Sequence, residues 1–193
     1  MSKERWKLTD EEYEFIKGEV AHVLLRYQIR CVPVNGFEIA REMGILLIPY
    51  SSLSQKALAK AEEASEDGFV VEENDGREYI YYNDIGKSKE RQNWTVLHEI
   101  GHIVLDHSGI NPEREEDEAN FFAKFAIAPP VYVYRVGVES SEELHRVFDV
   151  SNEEAIYAYE YYLTWKEGYY LVKRLKSYEL ALWNWYTSWK AKL

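Results

Sequence analysis

The residues of this 193-residue chain whose types and spacing could do chemistry together sit in one stretch, Val96-Leu-His98-Glu99-Ile-Gly-His102-Ile-Val-Leu-Asp106-His107. On a helix, residues four apart project about 40° apart, so the imidazoles of His98 and His102 can converge on one ion. Zn²⁺ accepts such nitrogens at about 2.0–2.1 Å and in catalytic sites keeps one position open for water. Glu99 projects about 100° from His98, which lets it serve that water as a base without competing as a ligand. The chemistry this spacing points to is metal-assisted hydrolysis with a carboxylate base.

His-Glu-x-x-His is the arrangement of zinc peptidases, although the pattern also arises by chance as an ordinary surface pair. Its surroundings favour the metal. Val96, Ile100, Ile103 and Val104 form the main apolar stripe, with Leu97 at its edge. The two histidines lie about 160° from the centre of that stripe, yet Trp94 and Leu105 flank them, so the histidine side is expected to be covered as well. Gly101 points the same way. A mid-helix glycine costs roughly 1 kcal/mol relative to alanine, which is tolerable where another segment packs very close.

A third ligand is needed. His107 projects about 180° from His98 on a continued helix and fails on direction. His22 and His145 stand alone and read as structural or surface residues. The better source is the next helix, Pro112-Glu-Arg-Glu-Glu-Asp-Glu118-Ala-Asn-Phe-Phe-Ala-Lys-Phe125. Relative to Phe122, Glu118 sits about 40° away and Glu115 about 20°, whereas Glu116 and Asp117 point outward. Glu113, Arg114, Glu116 and Asp117 read as a solvated face. Periodicity does not choose between Glu115 and Glu118.

Composition narrows the rest. The chain carries 23 Lys and Arg against 34 Asp and Glu, a formal net charge of -11. A phosphate-gripping surface needs concentrated cations, so nucleic-acid binding is not expected. The only cysteine, Cys31, excludes an internal disulfide and a cysteine-based zinc cluster. The charged start and the lack of any apolar run approaching about 18 residues argue against a secretory signal and a membrane span, so a cytoplasmic location is expected.

The elements that must position the motif can also be read. Helices are predicted over 9–28, 37–43 (closed by Gly44), 88–107, 112–127, 140–148 and 152–165. Strands are predicted over 45–50, 68–72 and 78–82, the last two joined through Asn74-Asp-Gly76 as a hairpin. The stretch 51–66 is ambiguous between helix and loop, and Pro129-Pro130 is read as a stop. The order gives an α+β fold, with a small antiparallel or mixed sheet beside a helical layer. A core over 1–130 and a helical C-terminal part over 131–193 are expected, though the two could form one domain. The segment 143–156 looks like a helix-turn-helix, but its second helix carries Glu153, Glu154 and Glu160, so a packing hairpin is preferred to DNA contact. Trp183, Trp185 and Trp189 in the aromatic tail are read as core cover or an interface anchor.

Thr95-Val-Leu-His98-Glu-Ile-Gly-His102, followed by Glu118-Ala-Asn-Phe-Phe-Ala123 and Ala128-Pro129, resembles the ImmA/IrrE metallo-endopeptidases over residues 15–165. That resemblance implies a zincin-like fold, a Zn²⁺ cofactor, His98, His102 and Glu118 as its ligands, and Glu99 as catalytic base. It selects Glu118 over Glu115. The sequence departs from the family pattern at Asp106, where some relatives carry histidine, and at Phe125-Ala-Ile-Ala-Pro129, where a leucine-rich run is common. The resemblance also implies regulatory cleavage of a protein partner, a DNA-binding repressor encoded nearby on a mobile element or stress locus. The alternative is a non-proteolytic antirepressor on the same scaffold. Tyr79-Ile-Tyr81-Tyr82 has two readings: an edge strand that aligns a substrate peptide, or a strand whose tyrosines simply face core and solvent alternately.

Overall fold

A computed structural model describes residues 8–73 and 76–190. Helix α1 (Asp10–Arg26) starts at a capping box, in which Thr9 and Glu12 each bond the other's backbone N–H. Asn35 caps α2 (Gly36–Met43), and Gly44, in the left-handed region at φ 82°, ends it. Strand β1 (Leu46–Pro49) follows, and the ambiguous stretch resolves into a short 3₁₀ turn and α3 (Gln55–Ala64). Strands β2 (Gly68–Glu72) and β3 (Glu78–Tyr82) pair antiparallel as the sequence predicts, although Asn74 and Asp75 of the expected turn lie outside the described residues.

The sheet is mixed, in the order β1-β3-β2, with β1 parallel to β3. This rules out one of the two readings of the tyrosine run. The tyrosine strand β3 is central and paired on both sides, so it offers no edge; the strand beside it, β2, does. Ile80 of β3 is fully buried.

Ser88 caps α4 (Lys89–Val104), the helix that carries the motif. It packs on α2, β2, β3 and α5 (Pro112–Ile127). Being surrounded, α4 buries an unbroken run from Thr95 to Gly101. Burying side chains such as Leu97 and Ile100 contributes about 1.5–3 kcal/mol each, which holds the helix rigidly in place. Helix α5 stops at Ile127, ahead of Pro129-Pro130 as the sequence predicts, and Pro130 then takes the first position of α6 (Pro130–Val136), where its missing N–H costs nothing.

Helices α7 (Ser141–Phe148) and α8 (Asn152–Val172) form the expected hairpin, turned by Asp149 at φ 52°. Helix α9 (Ser177–Lys190) packs on α1 and α6. There Leu182 and Tyr186 are buried, Trp183 packs against the core, and the Trp185 indole N–H donates to Ile29 O at 3.2 Å. The Trp189 side chain lies outside the described residues. No helix among the described residues is long and apolar enough to cross a membrane.

Candidate metal centre

His98 and His102 stand one turn apart on α4 with their Nε2 atoms 3.1 Å from each other. The carboxylate of Glu116, on α5, faces both: Oε2 lies 3.4 Å from His98 Nε2 and Oε1 lies 3.4 Å from His102 Nε2. Among the described residues these three form the one group of histidine, cysteine and acid side chains close enough to hold an ion, with donor atoms all within 4.8 Å of one another. Burial lowers the pKa of His98 to about 4, with the neighbouring His102 adding to the effect. Burial, followed by His107, likewise lowers His102 to about 4. Both imidazoles are therefore neutral at physiological pH, with lone pairs to give. Two neutral nitrogens and a carboxylate suit a borderline-soft divalent cation, so the residues present fit the metal that the motif implies.

Glu116 is a residue the sequence reading put on the solvated face. Glu116 and Glu118 project about 160° apart, so they occupy opposite flanks of α5. Measured from Phe122, Glu118 looks inward. What decides the matter is how α5 meets α4. A Cβ on Gly101 would stand 3.2 Å from Ala119 Cα and 3.1 Å from Phe122 Cβ, so this line is where the two helices touch. The close packing expected at Gly101 is present, and it leaves Glu116 and Asn120 on the flank beside the imidazoles. Glu116 remains exposed at the edge of the cleft.

Glu118 lies on the other flank. Its Oε2 accepts from His107 Nε2 at 2.9 Å and its Oε1 from Arg114 Nε at 3.0 Å. His107 in turn meets His102, Nδ1 to Nδ1, at 2.8 Å. This network assigns the tautomers. The carboxylate calls for a proton on His107 Nε2, which leaves His107 Nδ1 as the acceptor. His102 then donates from Nδ1, which leaves its Nε2 lone pair free towards Glu116. Arg114 also pairs with Glu12, so the support reaches from α1 to the imidazole.

Helical projection ruled out His107 as a ligand but missed this contact, because the helix stops at Val104. Asp106 turns left-handed at φ 55°, and the chain folds back to bond His107 N to His102 O at 3.0 Å. Glu115, the other inward candidate, accepts from Gly109 N at 2.8 Å and clamps the loop between α4 and α5. His145 bonds Val150 O within the α7–α8 turn. His98 is held by stacking on Trp94, with ring centroids 5.2 Å apart.

The cleft beside His98 has a volume of about 250 Å³, and Glu99, Glu116, Asp67 and Gly68 also line it. Glu99 is buried. Loss of hydration, with the like charge of Glu116, raises its pKa to about 8, against the opposing effect of Val70 N–H. Among the described residues no tyrosine lines this cleft; Ser65, Arg91, Trp94, Thr95 and Asn120 are the lining residues other than His98 with side-chain donors.

The sequence model of a peptidase family described as the IrrE N-terminal-like domain matches residues 40–159. The chain belongs to this family. No curated protein matches the chain significantly. The IrrE-like match begins inside α2, spans the sheet, α4 and α5, and ends inside α8, so α1 and α9 flank it. Membership gives the His-His-Glu cluster its meaning: this is a metallopeptidase-type fold, α+β as the sequence predicts, and a family of this kind uses a metal.

Proposed function

We propose that the protein is a zinc-dependent endopeptidase, that His98, His102 and Glu116 hold the metal, and that Glu99 is the general base. The observation that carries this reading is the convergence of two neutral imidazoles and a carboxylate within 4.8 Å, beside a cleft that His98, Glu116 and Glu99 line. Glu118, the ligand that the resemblance implies, is read instead as the residue that orients His102 through His107. When bound, zinc supplies Lewis acidity and a water of lowered pKa.

The chain's own groups do the rest. Burial gives Glu99 an unusually high proton affinity for a carboxylate, suited to taking a proton from the attacking water and passing it to the departing amine near neutral pH. Strand β2, whose first residue Gly68 lines the cleft, offers the outer backbone edge against which an extended peptide can add. Gly68 suits the position because an added Cβ would stand 2.7 Å from both Thr95 Cγ2 and Tyr81 O.

The substrate is a cognate DNA-binding repressor, cleaved at a specific site. The charge of -11 supports this choice, since such partners are commonly basic. Metal analysis should find about one zinc per chain. Glu99→Gln should retain the zinc while lowering the cleavage rate about 10²–10⁴-fold, followed by mass spectrometry of the repressor. A folded, metal-free protein would overturn the reading. Full relief of repression by Glu99→Gln would show that binding alone is the function.

A further inference from the structure

A second cavity of about 320 Å³ adjoins the metal cleft, with Arg91 and Trp94 lining both. Because Trp94 stacks on His98, a peptide lying over the imidazoles must pass this ring to reach the cavity. Its walls come from three places: the first turns of α4, the end of α5 and the start of α8. We propose that this cavity is a specificity subsite for a basic side chain of the peptide, arginine or lysine, with Glu154 as its acceptor; the proposal rests on the peptidase reading above.

Three observations converge on that chemistry. Ile127, Val150 and Tyr157 give apolar surface for a methylene stem, and the volume accommodates the longest basic side chain. Glu154 Oε1 is buried and accepts no hydrogen bond. A buried oxygen without a donor is costly, and an incoming ammonium or guanidinium would satisfy it with a charge-assisted bond.

The charge balance agrees. Glu90, Glu153 and Glu154 line the cavity against two cations, Arg91 and Lys124. Arg91 is already paired with Asp67. The Lys124 ammonium rests 4.2 Å from the centre of the Tyr157 ring; it attracts Glu154 without bonding that oxygen. An acidic side chain would add repulsion here, and an apolar one would leave Glu154 unpaired.

The test uses the zinc-loaded full chain carrying Glu99→Gln, which should bind peptides without cleaving them. A pool of peptides varied at one position at a time is captured and read by mass spectrometry, and the best binders are remade with citrulline, a neutral isostere, in place of arginine. Arginine or lysine should be enriched at one position, with arginine at least about tenfold tighter than citrulline. That preference should collapse when Glu154→Gln is added and shrink with Glu153→Gln, a change on an exposed residue that leaves packing intact. Equal binding of the arginine and citrulline peptides, or a preference unchanged in both variants, would overturn the subsite. Failure of the protein with Glu99 intact to cleave peptides that the variant binds would instead overturn the peptidase reading, so the two failures are distinct.

Discussion

At the scale of single residues, the two glutamates of α5 meet different histidines, although they stand only two positions apart. Glu116 faces the imidazoles directly, whereas Glu118 acts through His107 on the back of His102. On the proposed reading, removing a ligand and removing its support should differ in degree. Glu116→Gln should abolish stoichiometric zinc at concentrations where the wild type is saturated. Glu118→Gln should weaken zinc about 10–100-fold, because the tautomer and orientation of His102 lose their anchor. Competition with a chromophoric chelator measures both. Loss of zinc from Glu118→Gln alone, with Glu116→Gln unaffected, would restore Glu118 as the ligand.

At the scale of elements, the site depends on how closely α4 and α5 approach. Gly101 permits that approach, since any Cβ there would press on the backbone of Ala119 and the root of Phe122. Neither neighbour can swing aside. Gly101→Ala should therefore destabilise the fold by about 1–3 kcal/mol despite the better helix propensity of alanine. The same change should weaken metal binding, because Glu116 moves with α5. Denaturant unfolding of the metal-free protein separates the first effect from the second. Elsewhere on α4, the Asn93 side chain accepts from Gly36 N at 2.7 Å and donates to Val34 O at 3.0 Å, which pins the start of α2 to the motif helix.

At the scale of the whole molecule, the acid excess is spread unevenly by function. Some acids line the metal cleft and the neighbouring cavity, and others pair within the fold, as Glu14 does with Lys17. The remaining negative field should steer a basic partner towards the protein. Association with a DNA-binding repressor should slow on the order of tenfold as salt rises from about 0.05 to 0.5 M. Stopped-flow fluorescence, using the intrinsic tryptophans, reads the rate; an on-rate independent of salt would count against electrostatic steering.

Much of this protein was legible along the chain. Local signals marked the helices and strands, because capping residues, left-handed glycines and apolar periodicity act within a few residues. Thr9, Gly44, Ser88 and Pro112 show this directly. The spacing of His98, Glu99 and His102 likewise needs only the pitch of one helix. The sequence did not determine which acid from the next helix joins them. That depends on the rotation of α5 against α4, which is set by the contact of Gly101 with Ala119 and Phe122. It did not determine that β3 would lie inside the sheet and β2 at its edge, since strand order is a long-range choice. Nor did it reveal the role of His107, because a left-handed residue at Asp106 replaces helical projection with a reversal of the chain. Local chemistry fixed the ingredients of the site, and packing between helices decided which side chains face one another.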